Sequence, residues 1–207
     1  MSKAVEISDR DLILVRLRFL DLLKSFFQDE PDAERMSRWR GIFAALCKEQ
    51  INPHIDKAVR ELAEILRKKE LRELKREYYE LFINPYSEFI LPLNAAHYLD
   101  GKNYGPSLVR YRELLKQAQL VKIQTIKDSE DNLLIMLDTL ISLIEEEKKG
   151  VATTHTHQKE LVLSFLLPMV NKLEAAAATN PRADFYQHCA LFLKEYIALE
   201  ESLILNT

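Results

Sequence analysis

Only four glycines (Gly41, Gly101, Gly105 and Gly150) are spread over 207 residues, and this scarcity restricts the possible folds more than any other feature of the chain. Tight hairpins draw on Asn-Gly, Asp-Gly or Gly-rich turns, because their central residues need positive φ. The single Asp-Gly step, Asp100-Gly101, is not flanked by alternating apolar runs. Apolar residues instead recur three and four positions apart almost from end to end, the spacing of one helix face. Leu12, Val15, Phe19, Leu22 and Phe26 form the first series, with Ser8 and Asp11 ahead of it in the pattern of a capping box. Met36, Trp39, Phe43 and Leu46 form a second. Ile55, Val59, Leu62 and Leu66 form a third, opened by Asn52-Pro53, a cap followed by a first-turn proline.

The rhythm continues through Leu71, Leu74, Tyr78 and Leu81, and again through Val109, Leu114, Leu115 and Ala118. Asp128-Ser129-Glu130-Asp131 precedes Leu133, Leu137, Leu140 and Ile144, placing carboxylates where a helix dipole favours them. Leu161 to Leu167 reads as a deeply buried helix, which Pro168 is expected to kink or to end. Asn180-Pro181 repeats the start signature, and Phe185, Cys189, Phe192, Tyr196, Leu199 and Leu203 then mark a narrow apolar seam. These patterns predict an all-α fold, a single-domain bundle of about ten helices over residues 1–207, without internal repeat or domain linker.

Composition excludes several function classes. The hydrophobic fraction of 47% supports a packed core. The formal net charge of −3 gives none of the basic field with which proteins bind phosphate backbones, so no nucleic acid partner is expected. The charged residues between Arg67 and Glu77 are of mixed sign and make a solvated helix face. Cys47 and Cys189 are far apart and lie among apolar residues, which predicts two buried, reduced thiols. Met1 to Glu6 leads into no apolar signal core, and the longest apolar run, Leu161 to Val170, is too short to span a bilayer. A cytoplasmic protein without membrane insertion is the expectation.

Catalytic patterns are missing from the sequence. No glycine cluster precedes a helix to cradle a phosphate, and no Glu-x-x-His pair offers a di-metal site. No Gly-x-Ser-x-Gly elbow holds a nucleophile. His155 and His157 are the only close histidines, and their two-residue spacing separates them on a helix, so a solvated loop over Gly150–Thr156 is expected there. Glu145-Glu146-Glu147, followed by two lysines, reads as solvated surface. The sequence thus predicts no enzyme, no cofactor and no metal.

The helical pattern breaks between residues 84 and 106, where Pro85, Pro92, Gly101, Gly105 and Pro106 accompany Tyr86, Phe89, Tyr98 and Tyr104. A connection this long inside one domain tends to be functional. Tyr78-x-x-Leu81-Phe82, then Asn84-Pro85, Pro92 and Tyr98, resembles the tyrosine/Leu-Phe motif and Pro-rich loop of the TorD/DmsD/NarJ-type chaperones. Asp128-Ser129-Glu130-Asp131-Asn132 stands where that family has a Glu-Pro-x-Asp-His motif. Asp131 matches its aspartate, Asp128 replaces the glutamate, Ser129 the proline and Asn132 the histidine. Phe165-Leu166-Leu167-Pro168 and the aromatic helix after Pro181 are similar to the family's closing helices.

The resemblance implies a cytoplasmic chaperone for the catalytic subunit of a molybdopterin-containing oxidoreductase. It would bind that subunit's N-terminal leader, often a twin-arginine signal, and its apo form, delaying export until the cofactor is in place. It further implies a leader site built from Tyr78, Phe82, Tyr86, Pro92, Tyr98, Asp128, Glu130, Asp131 and Asn132. Guanidinium groups favour planar carboxylate partners, and an apolar helical segment needs a groove, here expected between the 84–106 loop and the 128–132 turn. The protein would be a monomer or homodimer. The competing reading is a generic helical adaptor or dimerisation module without a molybdoenzyme client, using the Phe185–Leu203 seam as its interface.

Overall fold

The first turn of a helix leaves backbone N–H groups without partners, and the chain satisfies them either locally or from a distant segment. The computed structural model describes residues 9–122, 127–151 and 153–206. Its first helix, α1, spans Asp9–Phe27, while Ser8 of the expected capping box lies outside the described residues. Asp32 starts α2 (Ala33–Leu46) by accepting from the Arg35 N–H at 2.7 Å. Asn52 starts α3 (Pro53–Lys68), accepting from His54 at 3.0 Å and Ile55 at 2.9 Å, with Pro53 in the first turn as expected. A reciprocal Glu70/Glu73 capping box starts α4 (Leu71–Tyr78).

The remaining helices are α5 (Ala95–Asp100), α6 (Pro106–Gln117), α7 (Leu133–Lys148), α8 (Thr154–Leu161), α9 (Leu167–Thr179) and α10 (Phe185–Leu205). Among the described residues there is no strand, only an isolated antiparallel bridge between Asn94 and Asn132. The fold is therefore all-α.

The last helix is the core of the bundle. Helices α1, α3, α4, α8 and α9 all pack on α10. Its Phe185, Cys189, Phe192 and Tyr196 are buried. Phe185 stacks on Trp39, with ring centroids 5.7 Å apart, and Phe192 meets Phe43 edge-on at 5.4 Å. The buried Trp39 N–H donates to the Ser25 hydroxyl at 2.8 Å, so its polar atom is satisfied. From Phe185 to Tyr196 the seam is thus covered by the chain's own helices, leaving that stretch unavailable as an interface for a dimerisation module.

One polar cluster lies inside this core. Arg16 on α1, 6% exposed, donates through Nε to both Glu200 carboxylate oxygens at 3.2 and 3.0 Å, and through Nη2 to Glu200 at 2.8 Å. Its other contacts are Glu147 at 3.1 Å and Gln158 at 2.7 Å, and the Tyr196 hydroxyl donates to Glu200 at 2.6 Å. Four helices, α1, α7, α8 and α10, meet at this one guanidinium.

Several local expectations differ from the structure. Pro168 neither breaks nor ends its helix: α8 passes through a π turn at Val162–Leu166 into α9, giving one continuous helix from Thr154 to Thr179. The Leu167 N–H donates five residues back to Val162, so the widened turn absorbs the place where proline has no N–H to give. By length and composition this one helix could cross a membrane, but its Leu161, Val162, Phe165, Leu166, Met169, Val170 and Leu173 are buried in the bundle. His155 and His157 lie on α8, which begins at Thr154, and not in a loop. Asn180-Pro181 makes a turn, because the Asn180 side chain accepts from Arg182 N–H at 3.0 Å, and α10 begins only after Asp184. Cys47, at the end of α2, is exposed, whereas Cys189 is buried.

Candidate functional site

The two stretches singled out by the sequence, 84–106 and 128–132, are clipped together through their backbones. Opposite the Asn94–Asn132 bridge, Ala95 N–H donates to the Asp131 carbonyl at 2.9 Å and Leu133 N–H to the Leu93 carbonyl at 2.7 Å. The Asp131 carboxylate extends the clip, accepting from Ala96 N–H at 2.8 Å, the Ser129 hydroxyl at 2.6 Å and the Asn94 amide at 3.4 Å. Asn94, the residue preceding α5, makes no side-chain cap of its own, so a carboxylate from 35 residues later caps that helix. Asn132 serves the other side of the clip, accepting from Leu134 N–H at 3.0 Å to start α7.

Asp131 is 1% exposed and Asn132 is buried, so both occupy positions that hold the turn in shape. Removing the Asp131 carboxylate would leave the Ala96 N–H buried without a partner. Asp131→Ala is expected to lower stability by about 1–3 kcal/mol in urea unfolding, with Asp131→Asn less costly. An unchanged unfolding midpoint in the alanine variant would show that the cap contributes nothing.

Capping from a distant residue recurs twice. Asp100 accepts from Ser107 N–H at 2.8 Å and from the Ser107 hydroxyl, starting α6. These bonds, the hydroxyl first, hold the Asp100 carboxyl below its ordinary range. A Cβ at Gly105 would lie 2.2 Å from that carboxylate, so glycine is required at this position. Glu77, at the end of α4, accepts from Tyr186 N–H at 2.7 Å and starts α10. Burial pushes its carboxyl up to about 7, against the opposing pull of the Tyr186 N–H.

The other expected site residues divide by exposure. Tyr78 is a core residue whose hydroxyl donates to the Phe27 carbonyl at 3.2 Å, and burial pushes that hydroxyl up to about 12. Phe82 is half-buried, edge-on to Tyr186 at 5.0 Å. Tyr98 lies on α5, so the 84–106 connection contains a helix, and its buried hydroxyl has no hydrogen-bond partner. Pro92 is half-buried. Glu130 is bound by Arg112 at 2.8 Å, which holds its carboxyl below the usual range. Tyr86 and Asp128 are the members open to solvent: Tyr86 is 92% exposed, and Asp128 is exposed on the turn.

Tyr86 sits on a loop that is firmly held. Leu91 N–H donates to the Leu81 carbonyl at 2.9 Å and closes the loop at its base. Asn84 accepts from Tyr86 N–H at 3.1 Å, and the Asn180 amide donates to the Phe89 carbonyl at 2.8 Å. The Arg182 guanidinium lies 5.2 Å over the Phe89 ring. Ile83, at the end of a π turn over Tyr79–Ile83 that leads into the loop, and Ile90 on the loop, neither singled out by the sequence reading, are 54% and 38% exposed. Their one sequence signal is their position beside Asn84-Pro85 and Pro92, where helical periodicity no longer assigns them a buried face.

The concavity between the clipped segments is a polar notch of about 140 Å³ lined by Asn94, Asn103, Tyr104, Lys127, Asp128, Ser129 and Asp131. It can accept a cationic or hydrogen-bonding group but not an apolar helix, for which it is too small and too polar. A larger apolar groove of about 430 Å³ lies elsewhere, between α1 and α2. Among the described residues no group of three or more His, Cys, Asp or Glu side chains could hold a metal ion.

Residues 48–174 match the family model described as nitrate reductase delta subunit. Among solved structures, the chain resembles one described as a redox enzyme maturation protein from Archaeoglobus fulgidus, with a TM-score of 0.52 at 15% identity. That alignment covers 95% of this chain and 98% of the other, and it shows a shared fold. No curated protein sequence matches the chain.

Proposed function

Because this chain belongs to the nitrate reductase delta subunit family, of the NarJ/TorD chaperone type, we propose that it binds the apo form of a molybdopterin oxidoreductase catalytic subunit. On this reading it works in the cytoplasm, holds the subunit by its N-terminal leader until cofactor insertion, and acts by binding and not by turnover. The supporting observation is the clip at Asn94–Asn132, which fixes the acidic turn beside the segment that carries the aromatic loop.

The division of labour follows from exposure. Tyr86, with Ile83 and Ile90, offers apolar area to the leader on a loop already ordered, so little entropy is lost on binding. Asp128 offers a carboxylate to a leader cation, twin-arginine or single, since guanidinium groups pair well with carboxylates. Glu130 would join only by giving up Arg112. Asp131, Asn132, Tyr78, Phe82, Pro92 and Tyr98 position these groups from within.

The test is capture of client by tagged protein from cells respiring anaerobically, comparing the wild type with Tyr86→Ala and Asp128→Asn. A cofactor-free oxidoreductase catalytic subunit should co-purify with the wild type. Loss of an exposed aromatic anchor should weaken capture by about tenfold or more, and loss of the rim carboxylate by less. Capture without any oxidoreductase subunit would sink the chaperone reading. Undiminished capture by both variants would sink the site.

A further inference from the structure

The groove between α1 and α2 is the largest apolar concavity described above, and it is not part of the leader site. Val15, Phe19, Leu22, Ile42 and Leu46 supply its apolar lining, and Val15 is 41% exposed there. Arg18 on α1 and Arg38 on α2 line it, both exposed. The lining holds one carboxylate, Asp21, against these two guanidinium groups, so its charge is net positive. An occupant should therefore be apolar, ordered and acidic.

The same chain carries a surface of that description. The loop closed between Leu81 and Leu91 carries Ile83, Tyr86 and Ile90 exposed, together with the exposed Glu88. Isolated apolar side chains at a surface are ordinary, but here three are gathered on one pinned loop, flanked by Tyr79 at 46% exposure. We propose that the α1–α2 groove receives the 81–91 loop of a second copy of this chain, with Glu88 set against Arg18 and Arg38. The two surfaces differ, so each copy can give one loop and receive another. This contact goes beyond the chaperone reading, and it would make self-association and client binding compete for Tyr86.

Sedimentation equilibrium of the full chain tests the pairing, because both charged partners are exposed and reversing them should leave the fold intact. Arg38→Glu alone and Glu88→Arg alone each bring like charges together and should weaken association by about tenfold or more. Mixed in equal amounts, the two variants restore opposite charges between positions 88 and 38 wherever the loop of one enters the groove of the other, and association should return in part. Ile83→Asp should abolish association without any charge partner changing. A chain that stays monomeric at every concentration overturns the proposal. So does association that either single reversal leaves unchanged, or a mixture that fails to recover. If Arg38→Glu prevents association but Ile83→Asp does not, some other segment fills the groove and the loop assignment is wrong.

Discussion

Arg16→Met should be the most destabilising of the substitutions considered, lowering stability by about 3–5 kcal/mol in urea unfolding. The guanidinium is the counter-charge paired with Glu200, which is fully buried and reached by two Arg16 nitrogens. Removing Arg16 leaves that carboxylate in a low-dielectric interior with only the Tyr196 hydroxyl. Arg16→Met combined with Glu200→Gln removes both charges and should recover most of the loss, because a neutral buried pair carries little desolvation cost. If the double variant is no better than the single, the energy lies in packing at α1 and not in the ion pair.

Glu77 should make stability depend on pH in a direction opposite to most surface carboxylates. Burial raises its carboxyl from 4.5 to about 7 in the folded protein, the hydrogen bond from Tyr186 N–H offsetting only part of the effect. Between those values the native state holds a proton that the unfolded chain has released. Stability from this group is therefore complete below pH 4.5 and is lost as pH rises through 7, by roughly 3 kcal/mol in all. Lys69 and Asp184, which pair with each other at 2.6 Å nearby, act on Glu77 in opposite senses. Glu77→Gln keeps a side-chain carbonyl for the Tyr186 N–H and carries no charge, so the variant should exceed the wild type in stability at pH 8 and match it near pH 5. Parallel pH profiles for the two proteins would show that Glu77 does not titrate as described.

The comparison of sequence with structure turns on which partners are local. Asn52-Pro53 could be read directly because cap, proline and capped N–H groups lie within four residues. The caps of α5, α6 and α10 could not be read in this way, because Asp131, Asp100 and Glu77 reach them from other segments. Asn180-Pro181 misled for the converse reason: it has the residues of a helix start, but Asn180 spends its side chain on a turn and on Phe89. Proline chemistry suggested a kink or an end at Pro168, and the helix instead runs on through a π turn, which has no residue signature.

The proposed leader site shows the same limit. Its segments and their proximity followed from motif order, but the side chains facing outward did not. Tyr98 falls where the helical pattern breaks yet is buried on a helix, while Asp131, expected at a helix start or in the leader site, is the buried cap of a different helix, α5. A double substitution at those two positions would disturb the fold before it reported on binding, which is why Tyr86 and Asp128 are the informative pair.

The central place of α10 bears on how the protein is made. In chain order α10 follows α1, α3, α4, α8 and α9, yet all of these pack against it. Arg16 waits 184 positions for Glu200. Until α10 has been synthesised, the nascent chain can form helices but cannot close its interior. A protein that guards an unfinished enzyme would thus itself be unfinished, and exposed to the same hazards, until α10 is in place.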